Sequence, residues 1–233
     1  MTGRGAHVPD ESASADAVAA GQAIYSRPVL AIYDLSVHGI SNPLIWRCPT
    51  RHLRRLYERH LSGDHMDVGI GTGYFLARAR FPSPRPRLVL VDANDTCLSV
   101  AGRRLGRYRP QCHRRNILEP LGDLGTPYRS IGLMYVLHCL PGDLVAKARV
   151  FDHLNACLAP HGVVFGATIL GRGVASSSAA RRLMQTYNAK RVFSNANDDP
   201  ETLQALLAAR YRDVEVEIRG SVALFAARRP LAA

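Results

Sequence analysis

At 233 residues, with 47% hydrophobic and 21% charged residues, the chain suits one sizeable core with appendages better than two full domains. It has no uninterrupted apolar run of roughly 18 residues, and its polar, Ala/Ser-rich start lacks the apolar centre of a signal peptide, so a cytoplasmic protein with no membrane span is expected. The five dispersed cysteines argue against a disulfide framework or a zinc cluster, and the +11 net charge is carried by scattered arginines, with Lys147 and Lys190 the only lysines.

Residues 1–22 are rich in Gly, Ser, Ala and Asp and read as a mobile tail. Residues 23–63 carry Tyr25, Tyr33, Asp34, His38, Trp46 and Arg47, interrupted by Pro28, Pro43 and Pro49, which predicts a cap of broken helices. The core is expected over 64–233. It begins with a short strand at His65–Val68 and a short helix over 74–80, stopped by Phe81-Pro82-Ser83-Pro84. Leu88–Val91 predicts a buried strand, and Leu98, Ala101 and Leu105 give the next helix its apolar stripe. Gln111–Arg115 predicts a weak third strand and Ile131–Leu137 a strong fourth. Asp143 is placed to cap a helix with Leu144, Ala148, Phe151, Leu154 and Leu158 on its inner face, ended by Pro160 and Gly162. Val163–Ile169 is the expected fifth strand. The connection 171–198, about 28 residues, far exceeds the usual two to six, and a lid helix is expected over 179–189. Asp199-Pro200 starts a last helix. The alternating Val214–Ile218, a turn at Gly220 and Val222–Ala227 then predict a closing antiparallel hairpin.

Between the first two strands lies Asp67-Val68-Gly69-Ile70-Gly71-Thr72-Gly73, and Asp92 ends the second strand. Glycines at a strand–helix turn let the backbone approach a ligand, and a strand-end acid can accept two hydrogen bonds from a ribose diol. A dinucleotide fingerprint needs its third glycine where Tyr74 stands, so a pyrophosphate is disfavoured. The Asp-x-Gly-x-Gly-x-Gly run resembles motif I of the class I S-adenosylmethionine-dependent methyltransferases. The resemblance in fold and motifs extends over residues 64–229. It implies a Rossmann-like, doubly wound α/β fold with a seven-stranded, mostly parallel sheet and a C-terminal antiparallel hairpin. It also implies that Asp67, Gly69, Gly71 and Gly73 serve the methionine end of the cofactor, Asp92 and Ala93 the ribose, and Asn116 and Ile117 the adenine, with Tyr135 also at the cofactor. Where this branch commonly carries Gly-Asp before the adenine, the chain has Arg115-Asn116, and an Asn carboxamide oxygen still accepts a hydrogen bond.

The Asn/Asp-Pro-Pro-aromatic motif of base-amine methyltransferases is absent after the fourth strand. Leu137-His138-Cys139-Leu140-Pro141 instead resembles the Leu-His-x-Leu-Pro segment of enzymes acting on small molecules, in quinone and natural-product biosynthesis. This resemblance implies transfer of a methyl group from S-adenosylmethionine, leaving S-adenosylhomocysteine, to O, N or C of a small apolar or aromatic acceptor, without a metal. His138 is the first candidate for a general base, with Tyr25, Tyr33 and His38 of the cap behind it. Trp46, Met184, Tyr187 and Asn188 are the candidate substrate-facing lid residues. Asp67 is read as ordering the loop or holding water near the cofactor's amino group. An RNA or protein substrate stays open as an alternative on the basic charge, as does a rearrangement or cyclisation steered by the bound cofactor. Either a monomer or a homodimer is expected.

Overall fold

The computed structural model describes residues 41–125 and 127–231. The tail, most of the cap segment, and with them Tyr25, Tyr33 and His38 lie outside the described residues. The described chain opens with one π-helical turn at 41–45, then helix α1 (Thr50–His60). Leu53, Tyr57 and His60 of α1 recur at helical spacing and are buried, while its arginines face out.

Seven strands form one sheet: β1 (Asp64–Val68), β2 (Arg87–Asp92), β3 (Gln111–Arg114), β4 (Tyr128–Met134), β5 (Leu158–Ile169), β6 (Tyr211–Arg219) and β7 (Val222–Pro230). Their order is β3-β2-β1-β4-β5-β7-β6. The pairs among β1 to β5 are parallel, and β7 runs antiparallel to both β5 and β6. This is the expected seven-stranded α/β sheet with its terminal hairpin. Alternate residues feed the two faces: Val89 and Val91 of β2 join one core, Leu88 and Leu90 the other. From β1 the chain steps outward to β2 and β3, then returns to β4 on the other side. That reversal opens a cleft at the C-terminal strand ends, where ligands bind in such sheets.

The helices are α2 (Tyr74–Arg78), α3 (Asp95–Arg104), α4 (Leu144–Lys147), α5 (Arg149–Asn155), α6 (Ser178–Ala189) and α7 (Pro200–Ala208). Four begin on a side-chain oxygen that accepts from the first turn: Asn94, Asp143, Ser177 and Asp199. Three boundaries differ from the sequence expectation. The fourth strand stops at Met134, because Tyr135 takes a left-handed φ of 60° and Leu137–Cys139 curls into a 3-10 turn. The Asp143 helix is two short helices that break at Ala148. Pro160 and Gly162, expected to terminate a helix, lie inside β5: Tyr128 pairs with Leu158 and Ser130 with Val163, and a register shift absorbs the extra residues. Among the described residues no helix is long and apolar enough to cross a membrane.

Candidate active site

The cleft lies at the ends of β1, β2 and β4, where about 1140 Å³ of space, open solvent at its mouth included, is free of protein atoms. Its floor is the glycine turn. Gly69, Gly71 and Gly73 all have positive φ, at 66°, 54° and 71°. A Cβ at Gly69 would overlap Cγ2 of Val136, so glycine there permits the close approach of the β4 end. A Cβ at Gly71 would meet no protein atom within 4 Å, so this glycine keeps the cleft itself clear. The N–H of Gly71 donates to Asp92 Oδ2 at 3.3 Å, and the N–H of Asn94 donates to Oδ1 at 2.9 Å. Burial still outweighs these bonds and pushes the Asp92 carboxyl up to about 6. A carboxylate on the cleft wall has acceptor capacity beyond these N–H groups and is suited to a ligand that brings hydroxyl donors.

Asp67 lines the same cleft from the end of β1 and is buried. Its Oδ2 accepts from Tyr57 Oη at 2.6 Å and meets His65 Nε2 at 3.2 Å. Ala93, Asn116, Ile117 and Tyr135 also line the cleft. Asn116 Oδ1 accepts from the N–H of Leu118 at 3.1 Å and its Nδ2 donates to Glu119 at 2.8 Å, so the side chain is fixed in a local turn. Tyr135 Oη donates to Asn42 Oδ1 at 3.0 Å, tying the β4 end to the 41–45 turn.

His138, the expected first candidate for a general base, is not among the residues that line the cleft. It is buried beside the cleft, and its Nδ1 accepts from the N–H of Ile169 at 3.3 Å, with Thr168 Oγ1 3.4 Å away. An imidazole that accepts at Nδ1 carries its proton on Nε2, which makes Nε2 a donor. Burial, then Lys147, depresses its pKa to about 3. The His138 ring stands edge-on to Phe193 at 4.5 Å.

Two lid candidates are likewise packed away from the cleft. Trp46 is 3% exposed, joins the core on one face of the sheet and lies 6.2 Å from Phe193. Met184 is buried in the same core. Asn188 and Phe193 line a second opening of about 660 Å³, which shares Cys139 with the first, and Tyr187 packs on Phe193 at 4.8 Å. Residues that sequence reasoning missed include Tyr57, Cys97, Arg115, Met134 and Cys139, all on the cleft wall. Tyr57 alone had a signal, the Leu53/Tyr57/His60 stripe that faces a helix toward the core just before the glycine strand.

A family profile described as "Methyltransferase domain" matches residues 46–209. The chain belongs to this methyltransferase family. It is 39% identical to the demethylluteothin O-methyltransferase of Streptomyces thioluteus, across 89% of this chain and 90% of that one. It is 38% identical to the physcion biosynthesis cluster O-methyltransferase of Aspergillus chevalieri, across 90% and 95%. Among solved structures, the DhpI complex with S-adenosylhomocysteine shares the fold at a TM-score of 0.64 and 18% identity, covering 93% of this chain and 98% of that one. The methyltransferase is of the class I, S-adenosylmethionine-dependent kind, and its cleft fits that cofactor. Asp92 puts a carboxylate, an acceptor for a ribose diol, on the cleft wall, Gly71 keeps the floor clear, and Asp67 adds a second carboxylate able to meet a cationic group.

Proposed function

We propose that this methyltransferase methylates a hydroxyl oxygen of a small, apolar or aromatic metabolite in the biosynthesis of a specialised product. The observation that carries the reading is the near-40% identity, over about nine tenths of both chains, to enzymes named as O-methyltransferases of such products. When bound, S-adenosylmethionine supplies a methyl carbon already activated by its sulfonium, so the protein's work is to bind, align and exclude water. Asp92 would hold the ribose, the Gly69–Gly73 turn and Asp67 the methionine end, and Asn116 with Ile117 the adenine edge. Residues 23–63 and 171–198 would bound the acceptor, with Tyr25, Tyr33 and His38 as candidate polar groups and Asn188 and Phe193 lining the second opening. The proposal includes a cytoplasmic location, in keeping with five cysteines dispersed along the chain with no Cys-x-x-Cys pair.

The test is incubation with S-adenosylmethionine and a panel of small phenols, enols and amines, read by mass spectrometry. Gain of one CH₂ on a hydroxyl compound, with stoichiometric S-adenosylhomocysteine, is the expected result. Gain on the amines alone would move the reading to nitrogen. A product of unchanged mass would indicate a rearrangement, and methyl label found only in added RNA would overturn the small-molecule reading.

A further inference from the structure

Two donors of the protein converge on a single oxygen of Asp67. Tyr57 Oη, at 2.6 Å, and His65 Nε2, at 3.2 Å, both meet Oδ2, and Asp67 itself is 1% exposed. Burial, reinforced by Asp67, holds the Tyr57 phenol well above its ordinary range, so Tyr57 is the donor. The phenol ring has little freedom: it stacks on Phe75 at 5.3 Å and stands edge-on to Phe165 at 5.1 Å. His65 is held in turn, because Ser130 Oγ lies 2.8 Å from Nδ1. Ser130 Oγ also takes the N–H of Ser62 at 3.0 Å and lies 2.8 Å from Ser62 Oγ, so the far side of the imidazole is tied into a local network. The neighbouring strand leaves room for this arrangement, since a Cβ at Gly132 would come within 2.8 Å of Oδ2.

A buried carboxylate is costly unless both oxygens find partners. Here the protein places its two donors on Oδ2, and the residue borders the cleft. A cationic nitrogen is the ligand group that best completes the other oxygen. We propose that Tyr57 and His65 are positioning residues that aim Asp67 Oδ1 at the amino group of the cofactor's amino-acid end, so that the cleft distinguishes ligands carrying that end from those lacking it. The inference rests on the cofactor reading above and extends it to α1, which precedes the glycine strand.

The experiment is calorimetric titration of wild type and Tyr57→Phe with S-adenosylhomocysteine and with 5′-methylthioadenosine, which keeps adenine, ribose and thioether but has no amino acid. Tyr57→Phe is expected to weaken S-adenosylhomocysteine about tenfold and to leave 5′-methylthioadenosine within about twofold. His65→Gln, which keeps an N–H donor, should show the same selectivity with a smaller loss, and it carries the test if Tyr57→Phe does not fold. Equal weakening of both ligands, or no weakening of S-adenosylhomocysteine in a folded variant, overturns the positioning role. Wild-type protein that binds neither ligand overturns the cofactor reading itself, a different pattern from either.

Discussion

On the β1–β2 side of the cleft the shape is set by backbone: three left-handed glycines, a turn closed from Gly73 N–H to the Ile70 carbonyl, and Asp92 held by two main-chain N–H groups. Around the second opening, residues 171–198 are instead held by side chains that reach across. Lys147 Nζ, buried, donates to Asp198 Oδ2 at 2.8 Å and to the Ser194 carbonyl. Asn188 and Asn195 exchange two hydrogen bonds, and Asn195 Nδ2 donates to the Ile169 carbonyl at the end of β5. The first side fails through strain and the second through buried polar groups left without partners. A backbone-built floor recognises what every ligand of the class shares, whereas a side-chain-built wall can be rewritten without disturbing the floor.

The largest effect should come from the 171–198 connection. Lys147→Ala leaves Asp198 buried and unpaired, and about 3–5 kcal/mol of stability should be lost in urea unfolding. Adding Asp198→Asn should return part of it. A loss under about 1 kcal/mol for Lys147→Ala would mean that the 171–198 connection does not depend on this pair.

The floor should then separate into two kinds of glycine. Gly69→Ala combines a left-handed alanine with overlap on Val136 and should cost roughly 2–4 kcal/mol of stability. Gly71→Ala meets no protein atom, so about 1–2 kcal/mol is expected from conformation alone, with a cofactor affinity that falls more than stability does. Equal stability losses in the two variants would remove the distinction.

Asp92→Ala should weaken cofactor binding by about 1–3 kcal/mol, read by calorimetry. The pH dependence comes from the carboxyl's value of about 6, against 3.8 for the free side chain. Between these values the folded chain keeps a proton that the unfolded chain has released, so this group's contribution to stability falls as pH rises through the window. A ribose diol donates to the ionised carboxylate. Cofactor affinity should therefore rise with pH, by at most about tenfold per unit below 6, and level off above it. Asp92→Asn should flatten that profile.

The smallest effect is expected at His138. A general base contributes roughly 10²–10⁴-fold, yet His138→Gln, which can still accept from the Ile169 N–H, should change kcat by less than about threefold. Its stability signature runs opposite to that of Asp92. With a folded value near 3 against an ordinary 6.5, its contribution is complete above pH 6.5 and is lost as pH falls toward 3. A hundredfold fall in kcat would restore His138 to the chemistry.

Legibility along the chain tracks the range of the interactions. The glycine turn, Asp92, the caps at Asp143 and Asp199 and the helix at Ser178–Ala189 are decided within a few residues, and each is legible in the sequence. His138 and Trp46 are not, because a histidine at a strand end and a lone tryptophan look alike whether they face a ligand or a core. Phe193 and the main chain of Ile169, both about 30 or more residues from His138, decide the matter. Pro160 misleads because a register shift against β4 lets a strand carry it.

By itself the sequence determined the alternation of strands and helices, the left-handed turn that glycine alone adopts easily, and the acid that comes after it at the next strand end. These depend on local dihedral preference and on periodicity, which are properties of short segments. Only the tertiary structure decided that Tyr57 and His65 meet on one oxygen of Asp67, that His138 is sealed and neutral, and that Lys147 finds Asp198. Each of these is a matter of burial, and burial belongs to the packed chain: a side chain's donors, charge state and exposure are set by neighbours that the sequence places anywhere from two to fifty-one positions away.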